Sequence, residues 1–248
     1  MDKLVYTAAT GLRARMAAQA AIANNMANAS TTGFRADRVA FDQVLLRGAS
    51  GEMETRTPAT EEVLDADRDP GAVQQTGRAL DVAVAGRDAW LAVQAADGEE
   101  AYTRRGDLTV APSGVLQTGD GFIVQGQGGP ITLPPYTSVS IGGDGTISIV
   151  PASGGEPQVV DRLKLASAKG SNTVKGLDNL LRVRGGGVLP EDLDARVQAG
   201  ALEGSNVDMT QALVDMIENQ RSYEVTAGLM RSAKDMDESG ASLMRLPS

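Results

Sequence analysis

The side chains that most often carry out chemistry in proteins are missing from this chain, because its 248 residues include neither Cys nor His. Such a chain cannot form a disulfide, a Ser-His-Asp triad, a thiolate nucleophile or a metal site built on Cys and His. Proton transfer would depend on carboxylates, Lys, Tyr and hydroxyl groups alone. We therefore expect no enzymatic activity, no catalytic residues, no metal and no cofactor.

One acidic segment has the alternation that opens a calcium-binding loop. Asp65, Asp67 and Asp69 stand at alternate positions, like the first carboxylate ligands of an EF-hand. The remaining positions do not fit, because Pro70 occupies the place that requires Gly and Thr76 occupies the place that requires Glu. We interpret the segment as part of a solvated acidic connector.

A second candidate is the segment 102–105, Tyr-Thr-Arg-Arg, which could bind an anion. We expect instead that Tyr102 and Thr103 belong to a strand and that Arg104 and Arg105 face solvent or a neighbouring protein. The middle of the chain does not combine an acid, a base and an electrophile in a recognisable set. Its glycine-rich segments are typical of hairpin turns, because they do not follow a strand and open a helix.

Charge and hydropathy narrow the range of partners. The 32 acidic residues outnumber the 23 basic ones, which leaves a net charge of −9 and argues against nucleic acid or an anionic membrane as the main partner. No stretch reaches the roughly 18 to 20 apolar residues of a membrane span. The apolar run 16–23, which follows two arginines, lies inside a longer helical pattern. We therefore expect neither membrane insertion nor a cleaved signal peptide.

Two terminal helices and a central β domain are the elements that would position any site. Nine of the ten prolines lie between residues 58 and 190, which leaves both ends free to form helices near 3–28 and 208–243. Between the helices, apolar residues alternate over short stretches, as at Ile131 and Leu133, and glycine-rich turns separate these stretches. Such a pattern is typical of antiparallel strands.

Heptad spacing indicates how the two helices pair. The residues of one N-terminal seam recur every seven positions: Val5, Leu12, Gln19 and Met26. In the C-terminal segment, Asp208 and Gln211 form a candidate capping pair before a second amphipathic pattern. The predicted fold is therefore α+β, with N- and C-terminal helices paired as an antiparallel coiled coil and a central antiparallel β domain.

This reading divides the chain into four parts. Residues 1–42 form the N-terminal coiled-coil helix and a signature loop, and residues 43–79, rich in Gly, Pro and acids, form an extended connector. Residues 80–204 form the β-rich domain. Residues 205–248 form the C-terminal coiled-coil helix, which packs with the N-terminal helix.

Two features predict that the terminal helices bind other subunits. Gln19 and Gln220 place polar side chains in the seams, where such residues fix register at a cost in stability. Ile217 and Leu229 lie off the seam through Met216, so one partner helix would leave apolar surface uncovered. The residues expected at this assembly interface are Val5, Leu12, Met16, Gln19, Ile22, Asn25, Met26, Asn28, Phe34, Met209, Leu213, Met216, Ile217, Gln220, Tyr223 and Met230.

Both ends of the chain carry recognisable motifs. Residues 23–35 read Ala-Asn-Asn-Met-Ala-Asn-Ala-Ser-Thr-Thr-Gly-Phe-Arg. This segment resembles the N-terminal signature of the bacterial flagellar rod and hook protein family, with Met26 in place of the usual Leu. The segments 204–208, 214–218 and 220–224 resemble the C-terminal signature of the same family. The middle shows a similar pattern, so the resemblance spans nearly the whole chain.

The resemblance implies a structural subunit of the flagellar basal-body rod. Its terminal helices would pack against other copies of the chain and other rod proteins in a helical, torque-transmitting tube, with the β domain facing outward. The subunit would leave the cytoplasm through the flagellar type III export apparatus, without a cleaved signal peptide, and lie in the periplasmic part of the basal body.

Three alternatives stay open. The length and the two ends of the chain resemble the proximal rod member most, and the distal rod member of the same family is the nearest alternative. A binding adaptor that holds a ligand on its β domain would also lack a catalytic set. A hydrolase that depends on carboxylates of the β domain would need only acidic residues.

Overall fold

The computed structural model describes residues 2–43 and 59–244. Within this range the chain divides into two compact units. The helical unit comprises residues 2–27, 37–43, 59–64 and 208–244, and the β unit comprises residues 28–36 and 65–207. The predicted α+β class is confirmed, with a helix towards each end of the chain and antiparallel β structure between them.

Two long helices make up most of the helical unit. Their bounds are Asp2–Ala27 for α1 and Met209–Met244 for α2, within one residue of the predicted ranges. They contact each other and run antiparallel, because Gly11 lies beside Thr226 whereas Arg15, further along α1, lies beside Asn219, earlier in α2. Neither helix, over its described residues, is long and apolar enough to cross a membrane.

A side-chain cap begins α2. The Oδ1 atom of Asp208 accepts hydrogen bonds from the N–H groups of Thr210 (2.8 Å) and Gln211 (3.1 Å), which satisfies donors that the first helical turn leaves open. The reciprocal half of the predicted capping pair does not form. Instead, the Gln211 side chain donates to Asp215 (2.8 Å), one turn further along the helix.

The strands are short. In chain order they are β1 (Asp37–Gln43), β2 (Ala59–Ala66), β3 (Val73–Gln75), β4 (Val82–Val84), β5 (Ala89–Gln94), β6 (Glu100–Thr103), β7 (Thr109–Val110), β8 (Leu116–Gln117), β9 (Ile123–Gly126), β10 (Gly129–Pro130), β11 (Tyr136–Ile141), β12 (Thr146–Pro151), β13 (Gln158–Arg162), β14 (Leu165–Ser167), β15 (Thr173–Lys175), β16 (Leu181–Val183), β17 (Val197–Ala199) and β18 (Ala201–Glu203).

A nine-stranded sheet lies at the centre of the β unit. Its order is β15-β16-β6-β5-β9-β8-β7, with β10 beside β9 and β14 beside β5. Strands β11, β12 and β13 form a second sheet, while β17 pairs with β4, β18 with β3, and β1 with β2. The pairings with a described register are all antiparallel, as the short glycine-rich connections predict.

Strand β5 shows where the core of the β unit lies. Its successive side chains point to opposite faces of the sheet, and both faces are covered. Leu91 and Val93 pack into a large aliphatic cluster, whereas Trp90 and Ala92 pack into a smaller one with Tyr102. All five residues are at most 2% exposed, so the β unit has a complete core of its own.

The predicted strand around Ile131 and Leu133 forms only in part. Strand β10 ends at Pro130, and two further prolines follow at 134 and 135. Between them, Thr132 forms an isolated antiparallel bridge with Val115, and the Leu133 N–H donates to the Gly114 carbonyl (2.8 Å). Both Ile131 and Leu133 are buried in the large cluster, so the alternation correctly indicated burial.

The predicted connector 43–79 is more structured than expected. It contains strands β2 and β3, which pair with β1 and β18. Its acidic turn is used locally, since Asp67 Oδ1 accepts a hydrogen bond from the Asp69 N–H (3.0 Å). Residues 44–58 of the predicted connector lie outside the described residues.

The signature loop belongs to the β unit and not, as predicted, to the helix that precedes it. Its backbone pairs with the segment that precedes α2. The Gly33 N–H donates to the Glu203 carbonyl (2.7 Å), and the Asn206 N–H donates to the Phe34 carbonyl (3.3 Å). These long-range bonds, which no local pattern reveals, explain the difference.

Candidate assembly interface

Small and polar residues make the contact between the two helices, which we call the helix seam. Gly11, Arg15 and Gln19 lie on the side of α1 that faces α2, against Asn219 and Thr226. The buried apolar side chains of the described helices are also small: Ala14 and Ala21 of α1 and Ala212 and Ala233 of α2. Most large apolar residues of α2 are exposed instead.

One polar residue lies inside this seam. Asn219 is 6% exposed, and its Nδ2 donates to the carbonyl of Arg15 (2.9 Å) and to Oε1 of Gln19 (2.8 Å). Gln220 is exposed instead, because its neighbour Asn219 occupies the position that faces α1. The polar contact that aligns the two helices is therefore between Gln19 and Asn219, and Gln220 lies next to it, at the edge of the helix contact.

Large apolar side chains project from the helix pair into solvent. Met16, Ile217 and Leu229 are 60%, 59% and 61% exposed. The other exposed large apolar side chains of α2 are Met209, Leu213, Val214, Tyr223, Val225 and Met236. So many exposed large apolar side chains on one helix are typical of a protein–protein contact surface.

An apolar groove of about 440 Å³ lies on one side of the helix pair. Its lining residues are Arg15, Met16, Gln19, Ala20, Ala23, Asn219, Gln220 and Tyr223. The groove surface is almost entirely carbon. We call it the apolar groove.

A second groove, of about 350 Å³, lies on the other side of the seam. Its walls carry the carboxylates of Asp37, Asp215 and Glu218, whereas Arg15 is the one cation among the described residues that line it. We call it the polar groove. The two sides of the helix pair therefore differ in chemical character.

The predicted interface residues occupy several environments. The exposed ones are Met16, Met209, Leu213, Ile217, Gln220 and Tyr223. The partly buried ones are Leu12, Gln19, Ile22, Asn25, Met26, Asn28, Met216 and Met230. Phe34 is 2% exposed inside the β unit, so a neighbouring chain cannot reach its side chain. Val5 lies in α1, and its side chain is outside the described part of the structure.

Two asparagines of the N-terminal signature connect the end of α1 to the start of β1. The Oδ1 atom of Asn25 accepts a hydrogen bond from the Asp37 N–H (2.7 Å), and its Nδ2 donates to the Asp37 carbonyl (3.1 Å). Asn24 donates to the Asp37 carboxylate (2.6 Å). Because an amide side chain has both a donor and an acceptor, Asn25 binds the backbone of Asp37 as a neighbouring strand would.

A buried ion cluster joins the signature loop to a C-terminal strand inside the β unit. Glu203 is 1% exposed, and its carboxylate accepts hydrogen bonds from Arg35 (2.6 Å), Arg104 (3.2 Å) and the Gly71 N–H (2.9 Å). The guanidinium carbons of Arg35 and Arg104 lie 6.0 and 5.3 Å from the centre of the Trp90 ring. We call Arg35, Arg104 and Glu203 the buried ion cluster.

The electrostatics of this cluster correct one expectation. Burial lowers the pKa of Arg104 to about 10, and the Glu203 carboxylate opposes that change. Arg104 was expected to face solvent or a partner, but it is 1% exposed. Arg105 is only partly exposed and pairs with Asp107 and Asp120; hydrogen bonding to Asp107 raises the pKa of Arg105.

The Gly-Phe-Arg end of the N-terminal signature docks on its own β unit. Gly33 has a φ of 67°, and a Cβ atom there would lie 2.4 Å from the carbonyl carbon of Arg104, so the position requires glycine. Next to it, the Phe34 ring lies 3.8 Å from Nζ of Lys175. Glu203 has no comparable local signal, because it pairs with an arginine 168 residues away.

Comparison with known proteins explains why these motifs occur together. Three protein-family models match the chain. The family described as Flagella basal body rod protein matches residues 5–35, and the Flagellar hook protein FlgE/F/G D1 domain matches residues 83–149. The family described as Flagellar basal body rod FlgEFG protein C-terminal matches residues 198–243. The flagellar basal-body rod protein FlgF of Salmonella typhimurium is 42% identical over 245 residues, which cover 95% of each chain. The chain belongs to the flagellar basal-body rod protein family.

Other rod proteins agree with this assignment. FlgF of Escherichia coli is also 42% identical over 95% of each chain. The flagellar basal-body rod protein FlgG of Bacillus subtilis is 28% identical over 99% of this chain and all of its own length. This chain is accordingly a structural protein of the rod family and not an enzyme.

The matched ranges coincide with the features described above. The N-terminal match contains most of α1 and ends at Arg35, and the C-terminal match begins in β17 and contains Glu203 and nearly all of α2. Both end matches thus include one partner of the buried ion cluster and one helix of the pair. The N-terminal and C-terminal signatures of the rod family therefore contain residues that contact each other in the folded chain.

Proposed function

We propose that this chain is a subunit of the proximal flagellar rod and that it polymerises through its terminal helices into a torque-transmitting shaft. The observation that supports this most directly is the exposure of large apolar side chains along α2, such as Ile217 and Leu229, beside a seam of small residues. A helix pair of this kind has its apolar surface only half covered in a single chain. Neighbouring copies of the chain and other rod proteins would cover the rest.

We infer that α1 and α2 form an antiparallel coiled coil. Four-residue spacing relates Gly11, Arg15 and Gln19 on the contact side of α1, and seven-residue spacing relates Asn219 to Thr226 on α2, as in a coiled-coil seam. The hydrogen bond from Asn219 to Gln19 (2.8 Å) would oppose sliding of one helix along the other. Resistance to sliding suits a shaft that transmits torque.

The β unit supports a different part of the proposal. Its core side chains, such as Leu91 and Ile147, are fully buried without any neighbour. A unit with a complete core can stand on the outside of a shaft, because assembly need not cover it. We propose that the β unit faces outward.

The proximal position and the route of export complete the proposal. Sequence identity to FlgF of Salmonella typhimurium and of Escherichia coli is 42%, against 28% to FlgG of Bacillus subtilis, which supports a proximal over a distal position in the rod.

We propose export through the flagellar type III apparatus to the periplasmic part of the basal body, without signal-peptide cleavage. The run 16–23 supports this, because Gln19 within it accepts a hydrogen bond from Asn219 of α2, and cleavage there would remove most of α1 from the helix pair.

Deletion of this chain tests the proposal. We expect cells without it to be non-motile, with rods that stop before their distal part in electron micrographs of purified basal bodies. Supplying the full chain from a plasmid should restore swimming, which controls for effects on neighbouring genes. Normal hooks and swimming in the deletion strain would overturn the proposal.

A further inference from the structure

Exposed apolar residues form two rows on α2, and the rows lie on opposite sides of its seam. At 3.6 residues per turn, Leu213 and Tyr223 lie on the side that carries the apolar groove. Val225, Leu229 and Met236 lie on the other side, and each is more than half exposed. We call these three residues the C-terminal row.

The apolar groove and the C-terminal row are both apolar surfaces. The groove is concave, and its α1 wall combines the small residues Ala20 and Ala23 with the larger Met16 and Gln19. The row consists of aliphatic side chains that are 64%, 61% and 58% exposed in sequence order. Small residues such as Ala20 let another helix approach closely enough for its aliphatic side chains to enter the groove.

Charge supports the same pairing and suggests its register. Arg13 is exposed on α1, seven residues before Ala20 of the groove, and α1 has no acidic residue after Asp2. Glu218 is exposed on α2, seven residues before Val225 of the row, in a groove where carboxylates outnumber cations. If α1 of one copy and α2 of another run parallel and Val225 lies opposite Ala20, the equal seven-residue spacing places Glu218 opposite Arg13.

We propose that the apolar groove of one copy of this chain receives the C-terminal row of the next copy, with α2 of the second parallel to α1 of the first. This rests on the proposed polymerisation and adds which two surfaces meet. The surfaces are different and lie on opposite sides of the helix pair, so the contact is head-to-tail. A head-to-tail contact repeats from copy to copy and builds an extended array, whereas a two-fold contact would stop at a dimer.

Disulfide trapping tests the pairing cleanly, because the chain contains no cysteine of its own. Two variants, Ala20→Cys and Val225→Cys, are produced together in a flagellated bacterium that lacks its own copy of the chain. Basal bodies are oxidised, purified and run on a non-reducing gel. A disulfide needs two Cα atoms within about 7 Å, so we expect the mixed pair to give on the order of tenfold more cross-linked dimer than either variant alone.

Matched pairs supply the controls. Ala20→Cys with Leu213→Cys places the second cysteine on the groove side of α2, which the proposed contact does not bring near Ala20 of another copy, and it should stay monomeric on the gel. Dimers of Ala20→Cys with itself would indicate a two-fold contact and overturn the inference. Absence of the mixed dimer from basal bodies that contain both variants would also overturn it. Absence of the chain from basal bodies would instead contradict the proposed function.

A charge exchange provides a second test that does not depend on cysteine geometry. Arg13→Glu alone and Glu218→Arg alone should each reduce swimming, because each places like charges opposite one another between copies. The double variant Arg13→Glu/Glu218→Arg restores opposite charges at every contact of a head-to-tail array and should restore swimming. Failure of the double variant, with normal protein levels, would contradict the proposed register.

Discussion

The helical unit and the β unit bury different kinds of side chain. In the helices, the buried apolar side chains are alanines such as Ala21 and Ala212, while Leu229 remains 61% exposed. In the β unit, Leu91 and Ile147 are 0% exposed, and complete burial of such a side chain stabilises a fold by about 1.5–3 kcal/mol. Most of the stability of the single chain therefore comes from the β unit.

This difference shows that exposed apolar residues need not indicate a poorly folded protein. A chain with one complete core does not need its second apolar surface for folding, so that surface is available for assembly. Separating the two tasks also allows a subunit to fold partly before it meets its neighbours, with the ordering cost of the helices offset later by contacts between copies.

The largest expected difference between the units is in protease sensitivity. In a monomeric preparation of the full chain, we expect trypsin to cut after the exposed Arg221 and Arg231 of α2 on the order of tenfold faster than anywhere between residues 66 and 200, because a seam of small residues opens locally more easily than a packed core. Mass spectrometry of a time course identifies the cuts. Comparable rates in both regions would show that the helix pair is stable without neighbours.

Removal of the central anion should strongly destabilise the β unit. Glu203→Ala leaves two buried arginines without their carboxylate, and we expect a loss of about 3–5 kcal/mol in the free energy of unfolding. Trp90, the only tryptophan, lies against these arginines, so its fluorescence during urea titration reports on the β unit. Glu156→Ala, at an exposed position, is the control and should change stability by less than about 0.5 kcal/mol. Equal effects of the two substitutions would show that the cluster contributes little.

The same substitution in the two units should have different consequences. Ile147→Ala removes a fully buried side chain and should cost about 2–5 kcal/mol in urea unfolding. Ile217→Ala removes a side chain that is 59% exposed, so its effect on the same measurement should be below about 0.5 kcal/mol, while incorporation into basal bodies falls. If Ile217→Ala destabilises the monomer as strongly as Ile147→Ala, the assignment of α2 to assembly is wrong.

The smallest expected effect is an acid-dependent one in the β unit. Hydrogen bonds from Arg182 (2.6 and 2.9 Å) lower the pKa of Asp178 below its ordinary value of 3.8. A lowered carboxyl pKa gives stability that is present above pH 3.8 and is lost as pH falls through the folded-state pKa. Asp178→Asn should therefore cost less than about 1 kcal/mol at pH 6, and the difference from the unsubstituted chain should shrink towards pH 2. A constant difference across this range would exclude the ion pair as its cause.

Local sequence patterns predicted much of the fold. Proline placement and apolar periodicity located both helices within one residue, and Asp208 was correctly predicted to cap α2. Alternation correctly indicated burial at Ile131 and Leu133, where the backbone pairs only through an isolated bridge at Thr132. Signals of this kind succeed where a structure depends on residues close in the chain, and they fail where a distant partner changes the result.

The assembly interface was harder to predict than the helices that carry it. Heptad spacing emphasised large residues such as Met216, whereas the closest contacts of the two helices involve Gly11, Gln19 and Asn219. Two adjacent positions on a helix differ by roughly a quarter turn, so a small error in the facing direction exchanges Gln220 for Asn219. That direction depends on how closely the two backbones approach, which a single helical pattern does not contain.

Composition, periodicity and the end signatures were enough to show a rod-family protein without catalytic machinery, with two long helices around a β domain. These features depend on residues that are close together in the sequence. The buried ion cluster, the docking of Phe34 and the opposite characters of the two grooves depend on groups far apart in sequence, such as Arg35 and Glu203. Their pairing follows from the path of the folded backbone, because desolvated charges and facing helix surfaces acquire partners only after distant segments have come together.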